Sequence, residues 1–395
     1  NEAGLIFVGP SPEAMELMGG KLSAKAAVKA YGVPLAPGSD EPVRSAEAAR
    51  ALAQKIGFPV MLKASAGGGG KGMRIVENPD DFDDLLRLAR SEALSAFGDD
   101  AVFIEKFIAS PRHVEVQILA DGVGNITHLF ERECSIQRRH QKLVEEAPAA
   151  WMDEELRQKM CNAALNVARA AKYTGAGTVE FLVDERRNFY FLEMNARIQV
   201  EHPVTEMITG VDIVEQQLRV ADGQSLSYRQ DDVQIRGHAV ELRVCAEDPA
   251  NQFLPDAGRL ELFRPPQGPN IRVDSGVREG DDVPVFYDPM LAKLIVWGRN
   301  RTEALQTMVQ AIDDFAVSGV KTTLDFGRLV MTHPHFVCAN FDTGFVAKHF
   351  RPEMLKRPPT EAEALAAAVA AVEFLPRNPQ PLPHRPPSLW RVRRG

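Results

Sequence analysis

At 395 residues, with 45% hydrophobic and 25% charged residues, the chain can hold two or three domains with their own cores. A formal net charge of −8 argues against nucleic acid or an anionic membrane surface as the main partner. No run approaches the roughly 18 apolar residues of a membrane span. Cys134, Cys161, Cys245 and Cys338 are too far apart for a metal site, so reduced, packed thiols in a cytosol-like compartment are expected.

The chain begins at Asn1 and soon reaches a short apolar run, Leu5, Ile6, Phe7 and Val8, closed by Gly9-Pro10. This run predicts a strand, the last of a domain whose earlier part is absent, and it carries no signal-peptide or presequence pattern. Residues 12–31 read as helical until Gly32-Val33-Pro34 break the pattern, and Pro34, Pro37 and Gly38 form a hinge-like connector. Ser45 caps a second helix over 46–55, with Glu47 in its first turn and Gly57 past its end. Strand, glycine loop, strand, helix and strand then follow as far as Phe107. Residues 115–120 and 127–131 flank the Asp121-Gly122 turn as a hairpin. A helix over about 154–171 leads to a second hairpin, and Asp212 precedes another helix at 213–221. From Gly237 the pattern is mostly β until a helix near 302–315. An Ala/Glu helix at 361–374 gives way to a Pro/Arg-rich tail, 376–395, expected to be disordered.

The second hairpin carries the most chemistry. Two β-prone runs, 178–183 and 189–194, are joined by the polar turn 184–188, which sets Glu180 nearly opposite Glu193. Like charges facing each other across a sheet are destabilising, by about 4 kcal/mol at ~4 Å and an effective dielectric of ~20. A hard divalent cation held by carboxylate oxygens would neutralise them; glutamates on different faces, or both in solvent, would need none. Strict alternation then predicts one polar face of Glu193, Asn195, Arg197, Gln199 and Glu201 over an apolar face of Met194, Ala196, Ile198 and Val200. A guanidinium suits a small planar oxyanion, and a carboxylate beside it can take that anion's proton.

Lys63 ends the strand before Gly67-Gly68-Gly69-Gly70-Lys71-Gly72. Backbone amides of such a loop can wrap phosphate oxygens. A Walker A loop needs Ser or Thr after its lysine and then a helix; here Gly72 and a strand follow, which predicts a hairpin lid. The run from Glu131 to Glu146 is rich in Arg and Lys, but its interleaved glutamates speak against a nucleic-acid patch and for cations around a phosphate site.

Taken together, KASAGGGGKGM, SPRHVEVQILAD, ECSIQRRHQKLVEEAP, GTVEFLV, FLEMNARIQVEHPVTEMITG and RGHAVELRVCAEDP resemble one family, over about residues 4–349. That family is the biotin carboxylase subunits and domains of biotin-dependent carboxylases, within the ATP-grasp superfamily. The resemblance implies an α/β ATP-grasp fold: a small lid subdomain, a larger mixed-sheet subdomain, and a mainly β C-terminal domain. Its expected divisions are 1–20, a remnant of an N-terminal Rossmann-like domain; 21–107 and 108–232, the two ATP-grasp parts; 233–350, the C-terminal domain; and 351–395, a tail.

The resemblance also implies roles. ATP is expected at Lys21, Lys63, Gly68, Gly69, Gly70, Lys71, Glu105, Lys106, Ile108, His113, Gln137 and His140. Two Mg²⁺ or Mn²⁺ ions are expected at Glu180, Glu193 and Asn195. Lys142, Arg197, Gln199, Val200 and Glu201 resemble the bicarbonate pocket, with Glu201 as the base. Arg272 resembles the arginine that holds carboxyphosphate and steadies the biotin enolate. Bicarbonate would attack the γ-phosphate of ATP, and the carboxyphosphate formed would deliver CO₂ to the biotin anion. Implied partners are a biotin carboxyl carrier protein or domain, a carboxyltransferase subunit and a second copy of the chain. The implied setting is the carboxylation of an acyl-CoA (acetyl-, propionyl- or methylcrotonyl-CoA) in the cytoplasm or the mitochondrial matrix.

The sequence departs from the family pattern in three places. Beyond its final strand the Rossmann-like domain, with its biotin-contacting Gly-Tyr-Gly loop, is not found; the family's Gly-Asp-Lys stands as Gly19-Gly20-Lys21; and no Ala-Met-Lys-Met biotinylation motif occurs. Two other readings use the same residues. An ATP-grasp ligase acting on another carboxylate is opposed by the run Arg197-Ile-Gln199-Val-Glu201-His202-Pro203. An inactive binding or assembly module is opposed by the presence of every core site residue.

Overall fold

Ser11 Oγ accepts from the Ala14 amide at 3.2 Å and Pro12 sets the first turn, which starts helix α1 (Pro12–Gly19). The single helix expected over 12–31 is two: Gly20 is extended, and the chain restarts as α2 (Lys21–Ala30). Adjacent glycines have the weakest helix propensity short of proline, so the break falls there. The computed structural model describes residues 4–64, 73–356 and 361–374. The run expected as a strand at 5–8 has no strand partner among them, and Leu5, Ile6 and Phe7 are exposed. The glycine loop and the Pro/Arg-rich tail lie outside the described residues.

Ser45 caps α3 (Ala46–Ile56), and Gly57 ends it at φ +83°, a left-handed turn that glycine adopts without a side-chain clash. Strands β1 (Val60–Ala64) and β2 (Met73–Val76), helix α4 (Phe82–Phe97) and strand β3 (Val102–Lys106) follow. They form an antiparallel sheet in the order β2-β1-β3. Val60 and Leu62 turn inward onto Ala49, Ala53, Phe82 and Leu86, leaving Met61 and Lys63 on the opposite face.

Strands β4 (Arg112–Ala120), β5 (Ile126–Arg138) and β6 (Gln141–Ala147), helix α5 (Glu154–Ala170), the hairpin β7 (Gly175–Val183) and β8 (Phe189–Asn195), and helices α6 (His202–Thr209) and α7 (Ile213–Ala221) come next. Strand β9 (His238–Cys245) is followed by β10 (Glu247–Asp248), β11 (Leu254–Pro255), β12 (Gly258–Arg259) and β13 (Leu262–Arg264). Then come β14 (Ile271–Ser275), β15 (Asp282–Val283), β16 (Met290–Gly298), α8 (Arg301–Asp314), β17 (Ala316–Ser318), α9 (Leu324–Thr332), α10 (Pro334–Val337) and α11 (Phe345–His349).

Eight of these strands make one sheet, ordered β14-β16-β9-β6-β5-β4-β7-β8, in which every ladder is antiparallel. A parallel bridge joins Leu35 to Phe191 at its edge. The β6–β9 pairing places the two chain segments on either side of Gly237 in one sheet. A core of Val116, Ile118, Leu129, Met160, Ala164, Val179 and Phe181 joins the sheet to α1, α2 and α5. Helix α6 lies against Ala147, Ala239 and Ile295 through Val204 and Ile208. The compact unit formed by this part ends at Pro352; in a second unit from Glu353 the structure describes helix α12 (Glu361–Phe374).

Candidate active site

Glu180 and Glu193 are register partners on β7 and β8, the juxtaposition that the hairpin pattern predicts. Glu180 is buried and Glu193 stands at the solvent edge. The strand stops at Asn195, however, where alternation predicts that it runs on to Glu201. The chain bends at Ala196-Arg197, and Glu201 becomes the residue preceding α6. Pro203 favours this ending, because it has no N–H for a ladder and suits the first turn of a helix. The bend still brings the polar side chains together. Asn195 Nδ2 (3.0 Å) and Gln199 Nε2 (2.7 Å) both donate to Glu180 Oε1, while His113 Nε2 lies 2.9 Å from Oε2.

Lys142 is the hub. Its Nζ donates to Glu115 Oε2 at 2.6 Å, Glu180 Oε1 at 2.9 Å and Glu201 Oε1 at 2.5 Å. Burial works against charge on both sides, but the three carboxylates outweigh it and push the ammonium above its ordinary pKa. Burial pushes Glu180 upward, yet His113 and Lys142 hold it well below the usual carboxylate range. Burial likewise opposes Glu115, which Lys142 and Arg132 bring down to about 2. Arg132 is fully buried. It donates to Glu115 Oε1 (2.7 Å), Gln117 Oε1 (2.7 Å), Thr205 Oγ1 (3.0 Å), Thr178 Oγ1 (3.2 Å) and Gln199 Oε1 (3.3 Å). It locks β4, β5, β7, α6 and the loop before α6 together behind the hub, whereas the sequence reading of its run placed cations around phosphate.

The second oxygen of Glu201 accepts from Arg243 Nη2 at 2.9 Å, and Arg243 Nε donates to Glu145 Oε1 at 2.6 Å. Arg243, which the sequence reading did not single out, is thus the arginine in contact with Glu201, whereas the expected Arg272 is not. Arg272 is on β14 and pairs with Glu206 Oε2 at 2.6 Å and with Asp274 at 2.8 and 2.9 Å. The reason is strand order: β9 adjoins β6, which carries Lys142, and β14 lies two strands further out at the sheet edge. Val200 contributes its carbonyl to Lys293 Nζ at 2.8 Å. Arg197 is exposed, with Nη1 on Ile198 O (3.1 Å) and Nη2 on Asn195 Oδ1 (3.2 Å), so its guanidinium stands at the mouth of the cluster.

The residues expected at the nucleotide divide. Lys63 pairs with Glu105, and so does Lys25 on α2, which the sequence reading did not single out. Lys106 turns the other way, its Nζ on the carbonyls of Gly57 (2.9 Å) and Phe58 (3.0 Å). Ile108 follows β3 half-buried; Gln137 is buried opposite Lys142; His140 is exposed in the turn after β5. The Lys21 side chain and Gly68, Gly69, Gly70 and Lys71 lie outside what the structure describes.

His113, Glu115 and Glu180 place one ligand atom each within 4.8 Å of one another, but Lys142 already neutralises that inner cluster. Outward of it, the Glu193 carboxyl is pushed above its ordinary range by burial and by Glu180, with a hydrogen bond from Asn195 opposing. An all-oxygen set of Glu180, Glu193 and the Asn195 amide fits a hard divalent cation on that outer side. Arg132, Arg243, Glu115 and Lys25 complete the set that the sequence reading missed. The available signal for Arg243 was an acid and a base two residues apart, Glu241 and Arg243, inside the otherwise apolar run of β9.

Two family models match the chain. The ATP binding domain of the carbamoyl-phosphate synthase L chain matches residues 20–229, and the biotin carboxylase C-terminal domain matches residues 241–348. Together they define an ATP-grasp enzyme with a biotin carboxylase C-terminal domain. The biotin carboxylase of Nostoc sp. is 51% identical over 342 residues, 87% of this chain and 76% of the relative. The human mitochondrial propionyl-CoA carboxylase alpha chain is 51% identical over 87% of this chain and 47% of its own length. The structure of Campylobacter jejuni biotin carboxylase in complex with β,γ-ATP superposes with a TM-score of 0.83 at 48% identity, over 88% of this chain and 78% of that one. The chain belongs to the biotin carboxylase family. It spans 66% of the length of a chloroplastic biotin carboxylase from Populus trichocarpa, and about half that of the carboxylase alpha chains it matches. Among the described residues no helix is long and apolar enough to cross a membrane.

Proposed function

We propose that this chain catalyses the ATP-dependent carboxylation of biotin, with bicarbonate as the carbon source and carboxyphosphate as the intermediate. The observation that carries the reading is Glu201: one oxygen on Lys142, the other on Arg243, beside the carboxylates suited to a cation. A general base needs a fixed position to act, and Lys142 and Arg243 each hold one carboxylate oxygen of Glu201 in place. Arg197 stands where a planar oxyanion can enter, and Lys142 offers it positive charge from below. Glu201 takes the bicarbonate proton, and the freed oxygen attacks the γ-phosphorus in line, releasing ADP.

Glu180, Glu193 and Asn195 would hold the metal, which when bound neutralises phosphate charge on the leaving side. Lys63 and Lys25, together on Glu105, present further cations toward the nucleotide. Carboxyphosphate then separates into CO₂ and phosphate. The phosphate removes the ureido proton of biotin, the resulting anion bonds to CO₂, and Arg243 balances the negative charge that passes between them.

The biotin is carried by another protein or domain, and the carboxyl group passes on to an acyl-CoA at a separate carboxyltransferase. The matches to methylcrotonoyl-CoA and propionyl-CoA carboxylase alpha subunits support this setting. A biotin carboxylase domain dimer from Hydrogenobacter thermophilus, with a TM-score of 0.84 and 44% identity, supports a homodimer. The test is ADP release from MgATP with and without bicarbonate, and then with free biotin. Turnover that needs bicarbonate, rises with biotin and falls at least ~100-fold in Glu201→Gln is expected. ATP hydrolysis indifferent to bicarbonate, or no turnover at all, would overturn the proposal.

A further inference from the structure

Glu241 on β9 is fully buried, and neither of its carboxylate oxygens has a donor. Its register partner on β6 is Glu145, equally buried, whose Oε1 accepts from Arg243 and whose Oε2 has no donor either. Residues directly opposite in antiparallel strands hold their Cβ atoms about 5 Å apart on the same face. The donorless carboxyl oxygens thus share one dry space, covered by α6 and walled by Ala147, Ala239, Val204, Ile208 and Ile295. The charged groups around that space are Arg243 on β9, Lys293 on β16, Lys142 on β6 and Glu201 before α6. Lys293 is committed to Val200 O, and the titratable groups of α6 turn elsewhere, His202 to Gln199 O and Glu206 to Arg272.

Two adjacent buried carboxyls with three donorless oxygens between them do not both stay ionised. A single proton between them satisfies two of the three donorless oxygens: a protonated Glu241 donates its O–H to Glu145 Oε2. We propose that Glu241 is a positioning residue of the carboxylation site, sharing one proton with Glu145 and so leaving Arg243 free to reach Glu201. The inference rests on the biotin carboxylase reading and extends it behind the reacting groups. Burial and the neighbouring Glu145 charge push Glu241 well above the usual carboxylate range, and burial brings Glu145 up to about 7.

The consequence for Arg243 is geometric. It now divides its donors, Nε to Glu145 and Nη2 to Glu201. If Glu241 donates nothing, Glu145 Oε2 is open. A guanidinium prefers two parallel bonds to one carboxylate, so Glu145 then competes with Glu201 for Nη2.

The test compares wild type, Glu241→Gln and Glu241→Leu in bicarbonate-dependent ADP release from about pH 6 to 9. Gln keeps a neutral donor and cannot titrate. It is expected to stay within about threefold of wild type near neutral pH and to lack the decline expected of wild type as the pair gives up its proton at high pH. Leu is expected to lower kcat at least ~10-fold with the KM for MgATP unchanged. Independently of activity, the infrared carbonyl band of a protonated carboxylic acid is expected in wild type at neutral pH and not in Glu241→Gln. Equal rates for Gln and Leu, a Gln variant that keeps the alkaline decline, or an unchanged infrared band would each overturn the proposal. Should the Leu variant not fold, the Gln pH profile and the band decide alone. A wild-type chain without bicarbonate-dependent turnover would refute the enzymatic reading, and the band would still decide whether the proton is shared.

Discussion

Replacing Lys142 with Met tests whether the hub is held together by charge. The substitution keeps the length of the stem and removes an ammonium that lies within 2.9 Å of three carboxylates, Glu115, Glu180 and Glu201. In the native protein Glu115 sits at about 2 against an ordinary 4.5, despite the opposing effect of burial, because Lys142 and Arg132 face it. That difference is worth about 3 kcal/mol at neutral pH. Taking one partner from a buried ionic cluster costs about 3–5 kcal/mol, since the remaining charges stay buried. Lys142→Met should therefore lower the free energy of unfolding by about 3–5 kcal/mol at pH 7.5. The sign of the pH dependence follows from the same shifts. In wild type the support from Glu115 is present above 4.5 and lost only as pH falls through about 2. In the variant the carboxylates lose their cation, their pKa values rise, and the folded state takes up protons as pH falls. The gap between variant and wild type should thus narrow by about 1.4 kcal/mol per pH unit for each group that becomes protonated. Urea unfolding followed by tryptophan fluorescence at pH 7.5 and 5.5 measures it. A loss below about 1 kcal/mol at pH 7.5, or one that does not change with pH, would refute the reasoning.

Arg132→Met, which leaves Glu115 with one cation and strips Gln117, Thr178, Gln199 and Thr205 of a donor, should cost at least about 3 kcal/mol in the same urea assay. His128 is buried and its pKa is pushed down to about 4 by that burial, with Glu154 opposing. Its contribution, about 3 kcal/mol, is present above an unfolded value near 6.5 and lost as pH falls from there toward 4. His128→Gln should accordingly flatten the acid side of a stability profile measured by urea midpoints. Gly319 has φ +95°, and a Cβ there would lie 1.9 Å from Arg259 O, so Gly319→Ala should cost more than about 2 kcal/mol and lower Tm in a thermal melt.

Period-two patterning made the β7–β8 hairpin legible, down to the opposition of Glu180 and Glu193, because a polar turn fixes the register of the strands beside it. Capping residues made α3 and α7 legible for a similar local reason: Ser45 and Asp212 each accept from an amide in the first turn. Local rules fail where the outcome depends on distant pairing. The same alternation that placed Glu180 ran on past Asn195 to Glu201, because nothing in the pattern marks a bend that leads into a helix. Arg272 and Arg243 both lie in β-prone runs, and the choice between them turns on which strand adjoins β6. That neighbour is β9, nearly a hundred residues along the chain. Lys142 and Arg132 lie in one Arg/Lys-rich run, and of the two the family resemblance singled out Lys142 alone. The packed sheet shows the other, Arg132, sealed beneath the site.

The same sheet explains why so many acids can be buried in one place. Glu115, Glu180 and Glu201 share Lys142; Glu115 also has Arg132, and Glu201 and Glu145 have Arg243. With a proton held between Glu145 and Glu241, the interior of the network approaches balance without solvent. At its outer edge Glu193 faces Glu180 across the β7–β8 ladder, and burial and Glu180 push its carboxyl above the ordinary range. A closed and balanced interior cannot relax when a substrate arrives, so its geometry is set in advance. A rim of facing carboxylates is suited to a cation. Under the proposed function the two halves would do different work: the inner residues would orient Glu201 and Arg243 for proton removal, and the rim would tie productive occupancy to a metal-bound nucleotide.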